Sequence, residues 1–277
     1  MLCEFFLPSN PSRKVRLREA TVSEAIDFSS VDPDCEEEAT SLFLEKVQEK
    51  ELYSNPRDWT GEDRRYALFQ YFVYTSTFKT IPLSYECSIC GKRHVQDISL
   101  SSILDDYTPM NGESFRDFPH DGHNVVIRPL TGADLEDIEK YRYDLLLTEQ
   151  LLHSNSRQMS SADRKRLEAE IRAKHIRMAM LRVLCCIDMP YLDERGTARS
   201  RRGEVEKKLK AMPAGEFREF MAKVENALSE MRHGLRTAYV NGRIVLEIPD
   251  VRCDEHPELP GVLLRYPFRF GTVIPTL

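Results

Sequence analysis

Hydrophobic positions recur with period two near both ends of the chain and with a helical period through its middle. Residues 4–20 alternate as a β-hairpin: Glu4-Phe-Phe-Leu is one strand, Pro8-Ser-Asn-Pro-Ser the turn, and Lys14-Val-Arg-Leu-Arg-Glu the other. Val15 and Leu17 share one face, while Lys14, Arg16 and Arg18 share the other. Thr21-Val-Ser-Glu24 reads as a capping box for a short helix ending near Ser29-Ser30, because the hydroxyl caps the helix while the Glu reaches back. Pro33 and the acids Glu36, Glu37 and Glu38 suit the start of a second helix. That helix runs to about Leu52 with Ala39, Leu42, Phe43 and Val47 as its apolar stripe, and Thr60-Gly-Glu-Asp63 caps a third to about Thr77.

Residues 81–100 return to period two. Residues 101–124 read as loop, with Pro109, Asn111-Gly112, Pro119 and Asp121-Gly122 as turn signals, and 125–130 as a short strand. Thr131-Gly-Ala-Asp134 opens a helix to about His153; after a polar break at 154–160 a long helix covers 161–187, and the two form an antiparallel pair. Residues 188–203 read as a linker whose basic run, Arg195, Arg199, Arg201 and Arg202, is solvated and flexible. Helices follow at 204–211 and 213–232. Thr237–Val240 then pairs with 243–248 across Asn241-Gly242, and 262–270 is β-like up to Gly271 and Pro275. The pattern predicts an α+β chain in three parts. Residues 1–130 hold a hairpin, helices and a second hairpin with a Cys-x-x-Cys knuckle at Cys87 and Cys90; 131–235 are a helical insertion; 236–277 are a β segment that returns to the N-terminal module.

Composition narrows the class. The chain has 277 residues, 41% hydrophobic and 30% charged, which is enough to bury a core. A net charge of −6 argues against a general nucleic-acid coat. The apolar runs, such as Val183–Ile187, fall far short of the ~20 residues a membrane helix needs. The segment Met1-Leu-Cys-Glu-Phe-Phe-Leu-Pro has no basic n-region, so the chain is expected in the cytosol of the cell that makes it. Seven cysteines, an odd number, read as buried thiols or metal ligands rather than a disulfide framework.

One motif carries sharp chemistry. Cys87-Ser-Ile-Cys90-Gly91 is a knuckle in which two intervening residues let both sulfurs reach one ion, and Gly91 accepts the left-handed backbone angle of the turn. A redox Cys-x-x-Cys normally sits at a helix start after a strand; the β surroundings here favour a metal. A structural zinc site wants four ligands. Cys253-Asp-Glu-His256 is the first choice for the remaining pair, giving Cys87, Cys90, Cys253 and His256; His94, His120 and His123 could also supply a ligand. A buried thiol at Cys253 and a surface histidine at His256 are the competing reading.

The remaining candidates read as structure. Cys185-Cys186 lies in an apolar helical stretch and packs in a core, and Cys3 and Cys35 are lone thiols. The acids around Glu36 complement a helix dipole. The sequence has no nucleophile elbow, phosphate loop, dinucleotide fingerprint or His-Glu-x-x-His helix, so the expectation is a protein that is not an enzyme.

The N-terminal order carries a resemblance. Phe6-Leu-Pro-Ser-Asn is followed by Val15-Arg-Leu-Arg-Glu-Ala-Thr, Ala25-Ile-Asp-Phe, Asp32-Pro-Asp and Glu36-Glu-Glu-Ala-Thr, then by Trp59, Asp63-Arg-Arg65 and the Cys87–Gly91 knuckle. This resembles the T4-type bacteriophage baseplate hub protein family over roughly residues 5–100, with Tyr266-Pro-Phe-Arg-Phe as a further match. The resemblance implies a non-enzymatic component of a contractile tail baseplate, hub or its assembly, made in host cytoplasm and located in the virion. Its partners would be other baseplate or tail-tube subunits in a higher-order assembly, with no membrane. It supplies no catalytic residues. Two further readings stand beside it: a zinc-ribbon adaptor for nucleic acid or a polymerase, with a basic face at Lys92, Arg93 and His94, and a tail assembly factor absent from the mature virion.

Overall fold

Local signals account for most element boundaries in the structure, a computed structural model that describes residues 1–32, 34–87, 90–155, 159–240, 243–253, 255–256, 258 and 260–273. In chain order the elements are β1 (Cys3–Leu7), β2 (Asn10–Leu17), α1 (Val22–Ser29), α2 (Glu36–Val47), α3 (Gly61–Thr75), β3 (Thr80–Glu86), β4 (Arg93–Ser99) and α4 (Leu100–Asp105). There follow β5 (Arg116–His120), β6 (His123–Ile127), α5 (Gly132–Asn155), α6 (Ser161–Cys186), β7 (Ile187–Asp188), α7 (Ala198–Ala211) and α8 (Ala214–Glu230). The last are β8 (Thr237–Val240), β9 (Arg243–Val251), β10 (Val262–Pro267) and α9 (Phe270–Val273). Helices and small antiparallel sheets together make this an α+β chain. The expected turn at Asn241-Gly242, the Pro33 helix start and Pro275 lie outside the described residues.

The chain divides into two units. The first comprises residues 1–56, 62–110 and 233–277, and the second 57–61 and 111–232. The division therefore falls at 110/111 and 232/233, not at 130/131 and 235/236, because the β5–β6 hairpin belongs with the helices that follow it.

In the first unit, β1 alternates cleanly: Cys3, Phe5 and Leu7 are buried against Val15 and Leu17 of β2. The Thr21/Glu24 capping box forms in full at the start of α1. Helix α2 stops at Val47 rather than near Leu52 because Gln48 turns extended and bridges Leu17, while its side-chain amide donates to the Leu44 carbonyl at 3.0 Å. Leu42, expected in the apolar stripe, is exposed. Phe43 packs edge-on against Phe28, Tyr71 and Phe270, with ring centroids 4.9–5.8 Å apart. Phe69 meets Phe268, so the segment after β10 fills the core of α2 and α3. The sheet β10–β9–β8 and the hairpin β3–β4 share a small cluster in which Ile98, Ile248 and Val251 are joined by Leu83, Tyr85 and Leu264.

In the second unit, α5 and α6 form the antiparallel pair, with Ile138, Leu181 and Cys185 buried between them. The segment 101–124, expected as loop, holds most of α4, which belongs to the first unit, and β5, which belongs to the second; β5 pairs with β6, and β6 with β7. The basic run is helical and ion-paired from Arg199 on, not a solvated linker. Thr197 caps α7, which starts inside the expected linker. Arg201 is buried and pairs with Asp188 through Nε and Nη2 at 2.7 and 2.6 Å. Arg202 reaches Asp134 and Asp137, and Arg128 binds the same Asp134 carboxylate at 2.6 Å. Burial works to raise the Asp134 pKa, but the hydrogen bond and charge of Arg128 outweigh it and hold it below the usual carboxylate range.

Candidate metal centre

The β3–β4 register pairs Thr80 with Ser99 through to Glu86 with Arg93, which leaves the knuckle as the hairpin tip. Backbone bonds close it: the Cys87 amide donates to the Lys92 carbonyl at 2.9 Å and the Gly91 amide to the Cys87 carbonyl at 2.8 Å. Gly91 sits at φ +67°, a region a side chain strains to occupy. Cys87 is buried just beyond β3, and Cys90 is half-buried on the turn.

Cys253 arrives two residues after β9. The Ile98–Ile248–Val251 cluster brings that strand end beside the hairpin, and the Tyr85 hydroxyl donates to the Arg252 carbonyl at 3.3 Å. Lys92 on the knuckle binds both oxygens of Glu255 at 2.8 and 3.0 Å. This raises the lysine's pKa and lowers the glutamate's, each through the hydrogen bond and charge of the other.

The result is one cluster: the sulfurs of Cys87, Cys90 and Cys253 and a ring nitrogen of His94 all lie within 4.8 Å of one another. His94 Nε2 is 3.1 Å from Cys90 Sγ and 3.5 Å from Cys253 Sγ. These cysteines are free thiols, with no disulfide among them. Three soft donors and an imidazole converging on one point can hold a metal ion. For the Cys90 thiol, the hydrogen bond with the Lys92 backbone favours ionisation, but desolvation and the Cys87 and Cys253 thiols outweigh it and raise its pKa. Crowded thiols resist becoming thiolates until a cation joins them.

Cys87, Cys90 and Cys253 thus come together where the sequence placed them, and His256 does not join them. After Cys253 the chain turns back, with the His256 amide donating to the Cys253 carbonyl at 3.1 Å. The imidazole is turned to Glu258, with Nδ1 3.5 Å from its Oε1. His94 takes the fourth place because the β4 register sets it opposite Tyr85, whose ring stacks on it at 5.6 Å and aims Nε2 at the sulfurs. The spacing Cys90-x-x-x-His94 was the available signal for it. His120 and His123 belong to the second unit and take no part in this cluster.

Cys3, Cys185 and Cys186 behave as packing groups. Burial pushes the Cys3 thiol up to about 12 and, as the leading cause, the Cys185 thiol up to about 11; Cys186 is buried as well. No helix among the described residues is long and apolar enough to cross a membrane. Compared with models of protein families, with curated proteins and with solved structures, the chain matches none.

Proposed function

We propose that the protein is a non-enzymatic structural component of a contractile phage tail baseplate, of the hub or its assembly, and that a structural zinc ion at Cys87, Cys90, His94 and Cys253 holds its β module together. The observation that carries the zinc is the set of four protein donors drawn from segments 159 residues apart. Zinc bound at about 2.3 Å to sulfur and about 2.0 Å to nitrogen separates tetrahedral ligand atoms by about 3.5–3.8 Å; the contacts of His94 with Cys90 and Cys253, 3.1 and 3.5 Å, lie close to that spacing. Four protein ligands close the coordination sphere, which suits a structural ion and leaves no position for a substrate. Neutral His94 and three thiolates give the site a net charge of −1 with zinc, and Lys92 stands beside it.

The baseplate assignment rests on the N-terminal residue order, from Phe6-Leu-Pro through the Cys87 knuckle. The adaptor reading needs a free basic face at the knuckle, and Lys92 is neutralised by Glu255 while Arg93 is turned to Ser84. Metal analysis of the purified protein should find one zinc per chain, retained through dialysis. Peptide mass spectrometry of tailed particles should find the chain at fixed stoichiometry with tail proteins. Abundance in the lysate together with absence from particles would overturn the virion component and leave the assembly role.

A further inference from the structure

The second unit holds a separate group of ligating side chains at the tip of the β5–β6 hairpin. Asp121 and Gly122 both have positive φ, 51° and 73°, which makes a two-residue turn of the twisted hairpin type and sets His120 opposite His123. The imidazole of His120 is nine-tenths buried, packed edge-on against Phe220 with centroids 5.0 Å apart. Its Nε2 is buried and makes no hydrogen bond. The nitrogen faces two carboxylates instead: Glu216 Oε1, from the first turn of α8, at 3.5 Å and Asp121 Oδ2 at 3.9 Å. A buried polar atom with no hydrogen bond is costly unless something fills the place it points to.

We propose that His120, Asp121 and Glu216 form a second metal site, for a divalent first-row transition cation, distinct in chemistry from the cysteine centre. An imidazole nitrogen and carboxylate oxygens bound at about 2.0–2.2 Å to one ion stand about 3.0–3.5 Å apart. The two carboxylates stand 3.5 and 3.9 Å from the nitrogen and all three ligand atoms lie within 4.8 Å of one another, so the site closes by a small side-chain movement. One nitrogen and two oxygens suit zinc, cobalt or manganese rather than a soft ion such as copper(I) that calls for sulfur. Three protein ligands leave positions for water, so this ion is exchangeable.

Lys208 tunes the site. Its Nζ lies 3.2 Å from Asp121 Oδ2 and is also hydrogen-bonded to Tyr191, on which His123 stacks at 4.2 Å. The ammonium occupies the side of Asp121 that a cation would take and must yield when one binds. Affinity is therefore moderate, and removal of Lys208 strengthens it.

The test uses the full-length protein with its cysteine centre filled, titrated with Co2+. Binding here gives weak visible bands and no near-ultraviolet sulfur-to-cobalt transition, which separates it from exchange into the cysteine centre. The expected result is one further equivalent in the wild type, lost in His120→Ala and in Glu216→Gln, and bound about tenfold more tightly in Lys208→Gln. Glu216 is part-exposed, so Glu216→Gln decides the matter if the buried His120→Ala fails to fold. No further equivalent in the wild type, or one that persists in Glu216→Gln, overturns the proposal; binding by Lys208→Gln no tighter than the wild type also counts against it.

Discussion

His94 and His256 are separated at the metal centre by which way their rings are held, and this yields a direct contrast. We expect His94→Ala to lose bound zinc and His256→Ala to keep one ion per chain, measured by metal analysis after gel filtration. Tyr85 stacks on the ring of His94, and its hydroxyl holds the Arg252 carbonyl beside Cys253. Orienting groups of this kind are worth about 10–100-fold in metal affinity. Tyr85→Ala should therefore bind one zinc with a dissociation constant raised by that factor, read by competition with a chromogenic chelator. A two-residue Cys/His spacing pointed to His256, but spacing along a chain does not encode the direction of a side chain after a turn. The Cys87–Cys90–Gly91 knuckle was legible because its geometry is set within five consecutive residues.

At the scale of elements, the capping box of α1 and the hairpin β1–β2 were equally legible, since each is decided by neighbours in sequence. The start of α7 was not. Arg201 and Arg202 read as a solvated run because their partners lie elsewhere: Asp188 is 13 residues away from Arg201, and Asp134 is 68 from Arg202. That pairing makes a pH prediction. The Asp134 pKa is lowered in the folded chain, so its contribution to stability is present above the ordinary carboxylate range and is lost as the pH falls through its folded value. Asp134→Asn leaves Arg128 and Arg202 without their shared counter-charge, at an expected loss of about 3 kcal/mol at neutral pH. The gap from the wild type should shrink below about pH 4; urea melts at pH 7 and pH 3 check both statements.

For the molecule as a whole, the β-like tail was expected, but the use of its end was not. Phe268 and Phe270 are buried in the aromatic core of α2 and α3, a contact that no local pattern announces. Phe270→Ala should lower stability by about 3–5 kcal/mol in equilibrium unfolding. Zinc, in the proposed reading, ties the hairpin β3–β4 to the end of β9. A clip that closes so long a loop limits the unfolded chain more than a short one does. Chelation should therefore raise hydrogen exchange in β3, β4, β9 and β10 while the α5–α6 pair keeps its protection.

The interruption of the first unit by the second has a consequence for synthesis. Cys87, Cys90 and His94 leave the ribosome well before Cys253, with 159 residues between His94 and the last donor. At translation rates of ~5–20 residues per second, that interval is roughly 8 to 30 s. During it the nascent chain presents an incomplete metal site, two thiols and an imidazole, beside a β-hairpin whose covering strands do not yet exist. The second unit has its full sequence outside the tunnel before the first can close. Order of emergence thus puts closure of the cysteine cluster late in folding, with only the tail that carries Phe268 and Phe270 still to follow, and leaves the nascent knuckle open to oxidation or to the wrong metal for that interval.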